Sequence, residues 1–425
     1  MQDPGWILVI MLAVFAGCAM LIRVPTGVSL IIAAVSGALV GGAGLPIRHL
    51  IEGSLSYIDP ILIIATAMVF MGTLEASGAL SSISRGLLVG LHRQPWLLVI
   101  GMTIFIMFPG MITGQSTATV LTTGAIAAPV LAACGIPRAR VAAVIAMSAI
   151  YGMIAPPISL PTMILGSGVD LPFVGFDLPL LFATVPLAIG VNLGLTYRYF
   201  KKIDMDVVRK QLGENYAARY GFRLFLPLIL VVLLLVGIRV VPGLSKHLGI
   251  ALIFLIGSVV CTVTGRRFNL IRTARDSLRL GLPVMGILVG VGMFIQIMTL
   301  LGVRGLLVGK TLELPSVLRY VGVSVSMPLF GAVSAYGSAS VLGVPFLLSF
   351  LGRNEIIVAS ALSLFAGLGD LMPPTALAGM FAAQVVGEPN YFRVLKHTAL
   401  PALITLLWAV AMILLANPIA KILLN

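Results

Sequence analysis

Charged residues are scarce, at 10% of 425, where a soluble domain carries about a quarter. That shortage excludes a soluble globular protein and a nucleic-acid binder. Acidic residues are scarcer still, 14 against 27 Lys and Arg. In so apolar a chain the net charge of +13 reports topology, because Lys and Arg collect on the cytoplasmic side of a membrane. Cysteine is nearly absent. Cys18, Cys134 and Cys261 are far apart, in or beside apolar runs, so they read as packing residues and imply no disulfide framework. The four histidines (His49, His92, His247, His397) fall in loops or at span ends, and there is no H-E-x-x-H, G-x-S-x-G or G-x-x-x-x-G-K-[ST]. Neither a zinc site, a nucleophile elbow nor an ATPase is signalled, which weighs against an intramembrane enzyme.

What is present is apolar. Hydrophobic residues make up 59% of the chain, and the mean hydropathy is +1.12. At ~20 apolar residues per crossing, the length allows roughly a dozen crossings and no sizeable soluble domain. The N-terminus lacks the Lys or Arg of a signal peptide, so its first apolar run reads as the first span. Spans are expected at about 6–22, 27–45, 59–76, 178–197, 224–241, 249–264, 281–301 and 399–416. An amphipathic stretch covers 81–96. Segments 97–134 and 316–350 are apolar with Gly/Ser-rich middles, and 141–166 and 356–387 are interrupted by Pro156-Pro157 and Pro373-Pro374. Segment 198–223 reads as a basic cytoplasmic connector with helical character, and 266–279 as a basic loop.

If the two Gly/Ser-rich segments are re-entrant hairpins and the N-terminus is outside, 19 of the 27 Lys and Arg lie on one side. If both crossed fully, the basic loops would no longer share a side, so the charge bias supports hairpins. The halves also resemble one another. Thr117-Ala118-Thr119-Val120-Leu121 is echoed by Ser338-Ala339-Ser340-Val341-Leu342, each followed by a Pro (Pro129, Pro345) and then by a Pro-Pro pair, while Phe70 and Gly78 are spaced like Phe294 and Gly302. In this topology the hairpins open to opposite sides, which makes an inverted repeat, a signature of many secondary transporters. Broken helices survive in a membrane only inside protein or beside a wet cavity. There they offer N–H groups to an anion and carbonyls to a cation.

The first hairpin, with Gly110, Thr113-Gly114, Ser116, Ala118, Gly124 and Pro129, resembles the large membrane subunit of tripartite ATP-independent periplasmic (TRAP) transporters, of the DctM type within the ion transporter superfamily. Gly152 with Ala155-Pro156-Pro157, and Gly369 with Pro373-Pro374, match the family's two helix breaks. The sequence departs from the pattern at Ile158, Met372 and Ala376, and Asp370 is an acid the pattern does not require. The resemblance implies an all-α polytopic protein of the bacterial inner membrane. It would hold an inverted repeat with two re-entrant hairpins and two broken helices, working as an elevator. The expected division is 1–58 scaffold, 59–197 first repeat, 198–223 connector, 224–280 scaffold and loop, and 281–425 second repeat.

The resemblance further implies import of a small organic acid driven by Na+, with a periplasmic substrate-binding protein and a small membrane subunit as partners. A self-sufficient carrier or a cation/proton antiporter of the same superfamily is the alternative. One cation would sit at the first tip, held by Thr113, Gly114, Ser116 and the chain before Pro156. The other would use Gly337, Ser338 and the chain from Gly369 to Pro373, with Asp370 close by. Substrate contacts are expected from Ser116, Thr117, Ser338 and Ser340, with Pro157 and Thr375 beside the breaks. An acid at membrane depth is a functional candidate by default, so Asp370 keeps a proton open as the coupling ion. Glu75, near the end of its span, reads equally as a capping or snorkelling group.

Overall fold

A computed structural model describes residues 3–199, 216–241, 243–244 and 247–424. Its described elements are all helical. Among the described residues, eight helices are long and apolar enough to cross a membrane. The chain opens with α1 (Pro4–Ala16, extended by a π turn to Leu21), α2 (Thr26–Val40) and a short surface helix, α3 (Ile47–Leu55). The crossing helix α4 (Ile58–Ala76) ends at Gly78, which starts the surface helix α5 (Ala79–Leu91). At φ +86°, Gly78 occupies the left-handed region that a Cβ disfavours, and this lets a crossing helix turn sharply onto the surface.

The first hairpin follows. Helix α6 (Pro95–Thr113) descends to Gly114, and α7 (Ser116–Thr119), a π turn at Val120–Gly124 and α8 (Ala125–Ala133) return. Helix α9 (Arg138–Ile154) breaks at the cis Pro156-Pro157 bond and resumes as α10 (Leu160–Ser167), and α11 (Asp177–Thr196) closes the repeat. Most of the 198–223 connector, residues 200–215, lies outside the described residues. Its far end forms α12 (Tyr216–Tyr220), before the crossing helices α13 (Leu226–Val240) and α14 (Ile250–Thr264).

The second half repeats this order. Helix α15 (Leu270–Leu300) ends at Gly302, again with positive φ, and the surface helix α16 (Val303–Glu313) follows. The second hairpin is α17 (Ser316–Gly331), α18 (Ala335–Ser338), a π turn at Ala339–Gly343 and α19 (Val344–Ser349). Helix α20 (Glu355–Leu368) runs into a 3₁₀ turn at Gly369–Leu371 and the cis Pro373-Pro374 bond, then resumes as α21 (Leu377–Val386). Helices α22 (Tyr391–Leu414) and α23 (Ala416–Leu423) end the chain. Each helix of the first repeat, from α4 to α11, thus has a counterpart from α15 to α22.

Three expectations are corrected. The basic stretch 266–279 is not all loop: α15 starts at Leu270, so Arg272, Arg275 and Arg279 ride on its first turns. Its span therefore begins well before 281. Lys and Arg favour helices and reach water from a buried stem, so charge alone does not end a helix. Similarly, α22 starts at Tyr391 rather than near 399 and carries Arg393 and Lys396. The short helices α3 and α23 fall where no element was expected, being too short for a span and amphipathic.

Helices α2, α3 and α4 pack along α15, and α14 packs on α4 and α13. Small residues bring these backbones together, as is common between membrane helices: a Cβ on Gly27 would lie 2.4 Å from the Gly286 carbonyl oxygen, and one on Gly53 would lie 2.7 Å from that of Gly292. The second group forms around α9, which touches α6, α11, α21 and α22. Within it the two repeats interlock. Helix α9 lies on its own hairpin, but α21 packs on α7, α8 and the π turn of the first hairpin. Conversely α10 packs on α18 and the π turn of the second.

Candidate substrate and ion site

The hairpin tips and the helix breaks converge. Gly114 turns the first tip with φ +66°, and its carbonyl accepts a hydrogen bond of 2.9 Å from the Tyr336 hydroxyl of the second tip. Ser116, buried on the first tip, donates from its hydroxyl to Asp370 Oδ2 in the second break. Two close glycine contacts support the tips from behind. A Cβ on Gly110 would lie 2.7 Å from the Gly152 backbone, and one on Gly369 would lie 2.3 Å from that of Gly331. These pairs occupy equivalent places in the two repeats. Each lets a hairpin arm press directly against a broken helix.

The other expected site residues are placed as follows. The Thr113 hydroxyl donates to the Pro109 carbonyl at 2.7 Å and accepts from the Gln115 N–H at 3.3 Å, shaping the turn. Pro157 sits half-buried beyond its cis bond, where the Ile158 N–H donates to the Met111 carbonyl at 3.1 Å. Gly337 donates its N–H to the Ser334 hydroxyl at 3.0 Å. The Ser338 hydroxyl donates to Met327 O at 2.6 Å, and that of Ser340 to Gly337 O at 2.9 Å, so both serve their own hairpin. Thr375 ties the second break to the second tip through the Ala332 carbonyl, at 2.6 Å from its hydroxyl. Asp370 accepts its hydrogen bond from Ser116, so the second break also reaches the tip of the other repeat.

Two cavities lie beside the hairpins. On the first hairpin's side a cavity of about 90 Å³ is lined by Met68, Met71 and Glu75 of α4, Ser277 of α15, and Gln115 and Thr117 of the tip, among others. A second cavity, about 10 Å³, lies between α15, α16 and the second hairpin, scarcely room for a water. Arg304 lines it and donates to the Gly168 carbonyl at the end of α10. The charge bias places the larger cavity on the cytoplasmic side.

Sequence reasoning missed Gln115 and Tyr336. They occupy the same place in the repeat, 221 residues apart, and both are bulky polar residues in an otherwise small-residue turn, which is the signal that marks them. Tyr336 is committed to Gly114. Gln115, only 1% exposed, keeps its side-chain amide nitrogen without a partner at the wall of the larger cavity.

The family model described as "Tripartite ATP-independent periplasmic transporter, DctM component" matches residues 8–419. The chain belongs to this family. As a DctM component it is the large subunit of a secondary transporter of the inner membrane, partnered by a small membrane subunit and a periplasmic binding protein. Its fold is similar to that of the Alcanivorax borkumensis YdaH transporter, whose crystal structure is described as revealing an unusual topology. The match has a TM-score of 0.61 and covers 92% of this chain and 97% of that one, at 18% identity, so the likeness is one of fold alone. None of the curated proteins compared with the chain matched it.

In a DctM subunit the arrangement provides hydrogen-bond donors at the larger cavity without fixed positive charge. Gln115 offers an amide N–H₂, Thr117 offers a hydroxyl, and the arm beginning at Ser116 presents a helix N-terminus. Such a set can hold an anion. Lys and Arg are missing from this lining, and its one ionisable side chain is Glu75.

Proposed function

We propose that this DctM subunit imports a small organic acid by cation symport, with Na+ as the coupling ion. The observation that carries the reading is the charge of the larger cavity. An anion bound there meets the Glu75 carboxyl, with Asp370 behind the tip, and no basic side chain lines the wall. Holding an anion among acids is unfavourable unless a cation comes with it, which makes a mobile cation the natural partner of the substrate. Carbonyl ends of broken helices supply the hard oxygen ligands such a cation takes. Gln115 and Thr117 contact the substrate, whereas Gly114, Ser116, Asp370 and the chain near Gly369 surround the ions. Helices α1 to α4 and α13 to α15 act as a scaffold, and the hairpins, broken helices, α11 and α22 act as the moving body.

The test is uptake of candidate carboxylates into proteoliposomes holding this chain, the small subunit and the binding protein, with and without a sodium gradient. Sodium-driven uptake that requires the binding protein is expected. Strong uptake by this chain alone would indicate a self-sufficient carrier, and cation flux without solute an antiporter; either would overturn the proposal.

A further inference from the structure

Away from the tips, a groove of about 360 Å³ runs along the outer face of the hairpin body between α11 and α22. One wall is Pro186, Gly190 and Gly194, the other Lys396, Leu400 and Ile404. Both series have the four-residue spacing of a helix face, so the groove follows the two helices. Its floor, including Leu187, Val191, Leu195 and Pro401, is buried.

The two ends differ. Toward Pro186 and Ile404 the lining is apolar. At the end nearest Gly194, which the charge bias makes cytoplasmic, Arg140, Lys396 and His397 converge. Arg140 is held in place: it donates to the Leu195 carbonyl at 2.8 Å and its guanidinium lies 4.9 Å from the centre of the Tyr199 ring. Among the described residues, no acid forms an ion pair with any of the three, and the groove lining contains none. Basic groups crowded together without counter-charge repel one another, and an anion placed among them relieves that.

We propose that this groove binds one anionic phospholipid of the inner leaflet, its phosphate between Arg140, Lys396 and His397 and an acyl chain along α11 and α22. Charge complementarity at one end and an apolar trough at membrane depth suit a molecule that is anionic at one end and hydrocarbon at the other. Basic pockets between membrane helices on the cytoplasmic side recognise lipid headgroups in this way. The site is independent of the transported solute.

The experiment uses the purified, delipidated full chain, with native mass spectrometry and thermal unfolding after adding phosphatidylglycerol or phosphatidylcholine. One phosphatidylglycerol per chain is expected, binding at least about fivefold more tightly than phosphatidylcholine, on the scale of one basic residue at an anionic surface. The double variant Lys396→Gln/His397→Gln should lose that preference. A second variant, Gly190→Leu, should exclude both lipids while still folding, because a Cβ there meets nothing within 4 Å. Equal binding of the two lipids by the unaltered protein, a preference retained in the double variant, or full reproduction of the stabilisation by inorganic phosphate would each overturn the proposal.

Discussion

The Tyr336 hydroxyl of the second hairpin donates to the carbonyl of Gly114 in the first, at 2.9 Å. The tips of the two hairpins, one from each repeat, therefore meet. Tyr336→Phe leaves that carbonyl buried without its donor, a cost of about 1–3 kcal/mol. The variant should unfold in detergent at a temperature several degrees below the parent. Spin labels on the two arms should report a broader distance distribution between the tips.

Asp370 and Ser116 join the second break to the first tip. If sodium is the coupling ion, Asp370→Asn should raise the sodium concentration for half-maximal uptake about tenfold, the worth of one charge-assisted hydrogen bond. Uptake should stay indifferent to a proton gradient. If the proton is coupled instead, the same variant should lose pH-driven uptake and keep exchange. Parent-like uptake under both gradients would remove Asp370 from the mechanism.

The glycine contact at the second break makes a structural prediction. Gly369→Ala places a methyl 2.3 Å from the backbone of Gly331, where only main-chain movement can relieve it. Overpacking of this kind costs about 1–3 kcal/mol. Gly194→Ala, in an open groove, should be nearly neutral by thermal unfolding. Equal melting temperatures for the two variants would contradict the packing described.

Arg304 bridges α16 to the end of α10 beside the smaller cavity. Arg304→Gln should release that contact and open the outer side. A cysteine replacing Ser340, which lines the same cavity, should then react faster with an impermeant maleimide added from outside. About tenfold is expected, since a hydrogen bond to a charged group is worth roughly 1.5 kcal/mol or more.

Much of this fold is legible in the sequence, and the reason is physical. A crossing needs an apolar run, a break inside a membrane needs Gly or Pro, and a repeat writes both twice; hence the hairpins around Gly114 and Ser334 and the breaks at the two Pro-Pro pairs. What the sequence does not reveal is pairing across the repeat. Nothing about Asp370 in isolation points to Ser116, 254 residues away, because the repeat pattern associates each break with its own hairpin. Short amphipathic helices such as α3 also escape, since they lack a span's length. The inward helical extension of α15 escapes because its arginines look like a loop.

The interlocking of the half-helices has a mechanical consequence. With α21 resting on the first hairpin and α10 on the second, neither hairpin is free to hinge open like a door; lifting one strips contacts from the opposite repeat. The two hairpins and the half-helices α10 and α21 therefore brace one another, while the larger cavity separates part of the first hairpin from α4 and α15. For an elevator mechanism this bracing would favour displacement of one stiff block past that wall. In such a motion the two tips would travel together, and a solute or ion held between them would change sides in a single step.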